Sequence, residues 1–225
     1  MLKIATLLLV FPSHFVFAQS LSVEYHSRYV TEGRDNLQDG GIVWAHAVTP
    51  LSEHVVFDIY YGIGTSSDFD YDELIGSVIY QSETSWFEYA IGISRIEFFE
   101  DDAFDNELTL DLSRDFGQAT SALSFTYSTE QNGSFAEIEM GYPIIISSVL
   151  AITPFMRVGF DFGYITPLND TYNQTSLGVL LDYMLDTTTT IQLTAQYDIS
   201  GTDIRRELGQ SENQFWVLLN VNYLF

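Results

Sequence analysis

From about residue 20 to the end of the chain, apolar side chains recur at every second position, and this period of two constrains the fold more than any other feature. A strand sends successive side chains to opposite faces, so the period marks strands with one apolar face. The last segment is the clearest case: Phe215, Val217, Leu219, Val221, Tyr223 and Phe225 fall on one face, with Trp216, Leu218, Asn220, Asn222 and Leu224 on the other. Helical spacing is scarce. No apolar run after Ala18 approaches the roughly 20 residues that a spanning helix requires.

Twelve segments read this way, at 20–30, 41–48, 54–64, 71–81, 85–96, 106–115, 119–128, 134–145, 149–165, 172–184, 189–200 and 213–225. Typical apolar stripes are Phe57, Ile59, Tyr61 and Ile63, or Leu177, Val179, Leu181 and Tyr183. Over 71–81 two stripes compete, Ile75 and Ile79 against Leu74, Val78 and Tyr80. The connections alternate. Tight ones fall around Pro50, Ser82-Glu83-Thr84, Gly117-Gln118, Ser147-Ser148 and Asp186-Thr187; longer ones rich in Gly, Asn and Asp run over 31–40, 65–70, 97–105, 129–133, 166–170 and 201–212. An even number of strands of about ten residues, joined by short turns at one rim and longer loops at the other, predicts a closed antiparallel transmembrane β-barrel with short periplasmic turns. Hydrocarbon outside explains the outward apolar stripes, and closure leaves no unpaired edge. The alternative is a soluble acidic sandwich or barrel with the same stripes turned inward.

Composition narrows the function. The chain has 31 acidic against 8 basic residues, a formal charge of -23, and no cysteine. Such a balance excludes a phosphate-backbone partner, so no nucleic acid is expected. Without cysteine there is no disulfide scaffold, thiolate metal site or thiol nucleophile. Residues 1–18 read as a signal peptide: a basic start at Lys3, an apolar core from Ile4 to Phe11, and a small-residue cleavage site at Val16-Phe17-Ala18. The barrel would then occupy 19–225.

Alternation assigns eleven acids to the inward face, namely Glu24, Asp58, Glu73, Glu88, Glu107, Asp111, Glu137, Glu139, Asp161, Asp182 and Asp198, joined by His26 and only two arginines, Arg28 and Arg157. These are the candidate pore-lining residues, and Tyr60, Phe155 and Trp216 point inward with them and could narrow the bore. A wet interior also tolerates acids simply paired with arginine. Reflection of the strands about Ser147 sets Arg157 opposite Glu137 with Glu139 nearby, an expected salt bridge. The excess of acid focuses a negative potential between low-dielectric walls, which favours cations over anions. An enzyme acting on lipid needs His and Ser together on the outer face. His26 and Ser27 are adjacent and so point to opposite faces, while His46 and His54 flank the first tight turn and are expected near the periplasmic rim. The stretch from Asp68 to Asp72 begins like a calcium loop but has Glu73 at the turn glycine and Ile79 at the bidentate glutamate. No metal site or other cofactor is expected.

The ending Leu218-Leu219-Asn220-Val221-Asn222-Tyr223-Leu224-Phe225 resembles the C-terminal strand signal of bacterial outer-membrane proteins. That resemblance implies recognition by the barrel assembly machinery through Val221, Tyr223 and Phe225. The opening Val23-Glu24-Tyr25-His26-Ser27-Arg28-Tyr29-Val30-Thr31-Glu32-Gly33-Arg34 resembles the first strand and loop of TorF-family porins, which usually carry an aromatic-Arg-Gly order where this chain has Glu32-Gly33-Arg34. Together the resemblances imply a Gram-negative outer-membrane protein surrounded by lipid and lipopolysaccharide. The function expected is a narrow passive channel for small solutes, favouring cationic or neutral species and without a catalytic step. The alternatives are a barrel enzyme of phospholipase or lipid A deacylase type and a non-conducting structural or adhesion barrel.

Overall fold

A computed structural model describes residues 19–65, 70–166, 172–207 and 213–225; the expected signal peptide and part of the Asp68 to Asp72 stretch lie outside the described residues. The strands are β1 Ser20–His26, β2 Val30–Thr31, β3 Arg34–Asp35, β4 Ile42–Pro50, β5 Val55–Gly64, β6 Asp72–Glu83, β7 Glu88–Phe98, β8 Ala103–Phe116, β9 Ala119–Ser128, β10 Gly133–Gly141, β11 Ile144–Ser147, β12 Leu150–Phe162, β13 Tyr172–Met184, β14 Thr189–Ser200 and β15 Gln214–Leu224. One short helix, α1 Thr202–Glu207, precedes β15.

Each barrel strand pairs antiparallel with its sequence neighbours from β4 round to β15, and the ring closes where β1 pairs β15 on one side and β4 on the other. β11 takes up the β10 edge along β12 after the break at Tyr142 and Pro143, so the two form one wall position and the barrel has twelve strands. β2 and β3 form a separate two-stranded hairpin. The N-terminal end of β1 and the C-terminal end of β15 meet at Ser20 and Leu224, at the rim that carries the short turns.

Hydrocarbon outside and water inside account for the face assignments. Leu21, Val23 and Tyr25 of β1, Ile91 and Ile93 of β7, Leu108 and Leu110 of β8 and Leu219 and Val221 of β15 are all exposed, whereas Ser22, Ser77, Gln196 and Gln214 are buried. The competing stripes of β6 resolve in favour of Leu74, Val78 and Tyr80 outward: Val78 and Tyr80 are exposed, and Ile75 packs on the inner cluster of Tyr29, Leu37, Ile42 and Trp44. A strand of the 11 residues of β15 is about 36 Å long and, tilted by about 40°, crosses roughly 28 Å, enough for the apolar band of an outer membrane. Aromatic residues mark both edges of that band: Tyr80, Trp86, Phe87, Phe116, Tyr183, Tyr223 and Phe225 towards the short turns, and Tyr25, Tyr61, Phe104, Tyr172, Tyr197 and Phe215 towards the long connections. Their phenols reach polar groups at the rim, as Tyr61 Oη does to Asp72 at 3.1 Å and Tyr127 Oη to Asn132 at 2.8 Å. The soluble alternative, with its stripes turned inward, does not describe this exterior.

Several expected boundaries shift, among them the end of the 149–165 segment, which stops at Phe162. The first segment ends at His26 rather than 30, because the chain leaves the wall there. The expected 97–105 loop shrinks to 99–102, since the ladder between β7 and β8 continues to the pair Phe98 and Ala103.

Candidate functional site

The interior of the barrel is the site. At the short-turn end lies a cavity of about 530 Å³ lined by Glu53, Glu83, Glu88 and Asp111 together with His54 and Tyr89. Further up lies a cavity of about 480 Å³, lined on one side by Val30, Thr31, Glu32 and Gly33 of the β2–β3 hairpin and on others by Glu137, Glu139, Arg157, Asp198 and Trp216 of the wall.

Arg157 on β12 faces the two glutamates of β10. Its Nε lies 3.1 Å from Glu137 Oε1, and Nη2 lies 2.6 Å from Glu139 Oε2. The register sets Arg157 against Glu139 and Glu137 against Gly159, two residues away from the expected pairing. The cause is the turn, which closes on the pair Ser147 and Leu150, so that the ladder reflects about Ser148 rather than Ser147. The trio nevertheless comes together as expected.

The other acids hold neighbouring donors. Asp198 accepts Trp216 Nε1 at 2.6 Å and Gln196 Nε2 at 2.7 Å, and Trp216 in turn stacks on His26 with ring centroids 5.7 Å apart. Asp111 accepts Ser124 Oγ at 2.6 Å, Asp182 accepts Gln192 Nε2 at 2.6 Å, and Glu24 lies 3.3 Å from His26 Nε2. Glu88 is exposed at the short-turn end, with Ser113 Oγ 3.5 Å away. Asp161 differs: it is fully buried and accepts the amides of Tyr164, Ile165 and Thr166 and the Thr166 hydroxyl, so it folds the connection after β12. Glu73 is buried beneath Tyr29 and Tyr71, both of which donate to it, and Glu107 accepts the Tyr164 hydroxyl.

Arg28 lies beyond the end of β1. It pairs with Asp35, at 3.8 Å, and with Asp39, both within the connection that contains the β2–β3 hairpin. Arg95 and Arg114, the other arginines on barrel strands, are exposed among outward aromatics, Arg95 over Phe104 and Arg114 near Trp86. Among the described residues, Arg157 is therefore the only inward arginine of the barrel wall.

His46 pairs with Ser22, two residues in from Ser20 at the short-turn rim. It lies on the inner face of β4 opposite Tyr60, whose ring stacks on it at 3.7 Å, and it links Ser22 Oγ, 3.1 Å from Nδ1, to Asp58 Oδ1, 2.5 Å from Nε2. These three residues come from three adjacent strands, and only the ladder register brings them together. Sequence reasoning also missed Glu32, whose placement depends on a loop folding inward and carries no periodic signal.

Compared by sequence, the chain matches no family model and no curated protein. Compared by structure, it is similar to the KdgM porin solved in complex with disordered oligogalacturonate, with TM-score 0.64 and 12% identity over 92% of this chain and 99% of that one. It is similar to the NanC porin, with TM-score 0.61 and 11% identity over 91% of this chain and all (100%) of that one. An outer membrane channel from Pseudomonas putida F1 follows at TM-score 0.51 and 10% identity, covering 96% of this chain and 100% of that one. The fold is that of an outer-membrane porin barrel. Its outward apolar band and closed ladder place it in the bacterial outer membrane.

Proposed function

We propose that this chain is a passive channel for small solutes that favours cationic or neutral species. One observation carries the reading: the only inward arginine of the described wall, Arg157, is held between Glu137 and Glu139, which leaves the wall no free cation to attract an anion. The remaining inward acids hydrogen-bond mostly to hydroxyl, amide and indole donors, which bring no positive charge to offset theirs. The KdgM porin was solved with oligogalacturonate, an acidic sugar polymer. An interior of this charge suits the opposite class of solute. Membership in the TorF family, insertion by the barrel assembly machinery through Val221, Tyr223 and Phe225, and lipopolysaccharide around the outer rim belong to the same reading. Phe225 is well exposed at the membrane edge, packed edge-to-face on Tyr223 at 5.0 Å, which suits presentation to an assembly partner.

Liposomes containing the purified protein test the reading. Matched cationic, neutral and anionic solutes of one size should enter in that order; faster entry of the anion, or no entry at all, rejects it.

An enzyme acting on lipid is the second reading, favoured by the hydrogen-bonded line of Ser22, His46 and Asp58. The three lie on the inner face, remote from outer-leaflet lipid, and strand pairing flanks each of them. An oxyanion needs free donors aimed at the developing charge, and a paired ladder offers none. Ser22→Ala is expected to leave solute entry unchanged, and detergent-solubilised protein is expected to release no fatty acid from phospholipid or lipid A. Serine-dependent release would establish the enzyme.

A further inference from the structure

We infer that the β2–β3 hairpin is the constriction of this barrel and that Glu32 at its tip sets charge selectivity there; the inference rests on the channel reading above. The chain leaves the wall at His26 and rejoins it at Ile42, and the segment between folds into the bore instead of standing above it. Tyr29 and Leu37 are buried, at 7% and 2% exposure, against Ile42 and Trp44 of β4, and Tyr29 Oη donates to Glu73 of β6 at 2.8 Å. That fixes the base of the hairpin to one side of the barrel.

The tip is fixed to another side. Glu32 and Gly33 turn the chain with φ of 45° and 77°, and the Asn173 Nδ2 amide of β13 donates to the Glu32 carbonyl at 2.6 Å. A side chain at 33 would come within 2.7 Å of Gln174 Oε1, so glycine lets the tip seat against β13. Strung between β4–β6 and β13, the hairpin lines one side of the 480 Å³ cavity. Across that space Glu32 shares the lining with Glu137, Glu139, Asp198 and Arg157, four acids to one arginine. Arg34 approaches Glu32 at 3.8 Å and does not line the cavity. Charge in a narrow opening between low-dielectric walls acts on a passing ion more strongly than charge on the rim. The tip therefore outweighs the more numerous acids elsewhere.

Single-channel recording in planar bilayers, with the full-length protein, tests this. Glu32→Gln should lower the cation-over-anion permeability ratio by about threefold or more while changing conductance less than about twofold. Replacing residues 30–35 with two glycines should raise conductance several-fold, and heat-dependent gel mobility shows whether each variant has folded. If the hairpin replacement does not fold, Asn173→Ala, which frees the tip, should increase open-channel noise and conductance. Selective wild-type conductance that neither Glu32→Gln nor the hairpin variants alter overturns the inference and leaves the channel reading standing. Absent or anion-selective conductance in the wild type overturns the channel reading itself.

Discussion

Glu32, on the turn between β2 and β3, has a shifted carboxyl. Burial, reinforced by the nearby Asp161 carboxylate and opposed by Arg34 and the Thr31 hydroxyl, holds its carboxyl above the usual carboxylate range. A raised acid pKa means the charged form is disfavoured in the fold, so acidification neutralises Glu32 before groups near the ordinary value of about 4.3. Cation preference should fall in that window, and Glu32→Gln should lose less of it there than the unmodified protein; identical pH profiles would contradict the assignment. Gly178 gives a packing prediction, because a Cβ there would lie 2.2 Å from the Phe155 ring. Gly178→Ala should cost about 1–3 kcal/mol through overpacking, read from urea-dependent unfolding in lipid vesicles. Alternation alone placed Glu137, Glu139 and Arg157 on one face, because side-chain direction follows from parity. Their register was not legible, since moving the turn centre by one residue, from Ser147 to Ser148, shifts the pairing by two and leaves no mark in parity. The contacts of Ser22 with His46, 24 residues apart, and of His46 with Asp58 likewise depend on register.

At the scale of elements, strands were more legible than loops. An inner face in water and an outer face in hydrocarbon impose a period of two over the whole span, so β9, β13 and β14 begin and end where the pattern predicts, at 119–128, 172–184 and 189–200. The connection after β1 has no period to read, and its inward fold follows from Tyr29 and Leu37 finding Trp44 and Ile42 on the inner face of the neighbouring β4. Lipid outside predicts a sharp asymmetry between faces. Leu219→Arg, at the middle of β15 on the exposed face, should destabilise the folded barrel by about 2–4 kcal/mol, whereas Thr194→Arg on the inner face of β14 should cost well under that and shift selectivity towards anions. Vesicle unfolding of both variants checks this; equal costs would mean that the two faces meet the same solvent.

At the scale of the whole molecule, the full chain has a formal charge of -23, and the barrel's only inward wall arginine among the described residues is tied to two glutamates. The summed field inside such a bore is negative, and salt screens it, with a Debye length of about 10 Å at 0.1 M and about 3 Å at 1 M. The most direct measurement is the zero-current potential of the unmodified protein in a planar bilayer under a potassium chloride gradient, taken at both salt levels. The account predicts a potential of the cation-preferring sign that shrinks at 1 M salt, whereas an anion-preferring potential, or a bilayer that never conducts, would contradict it.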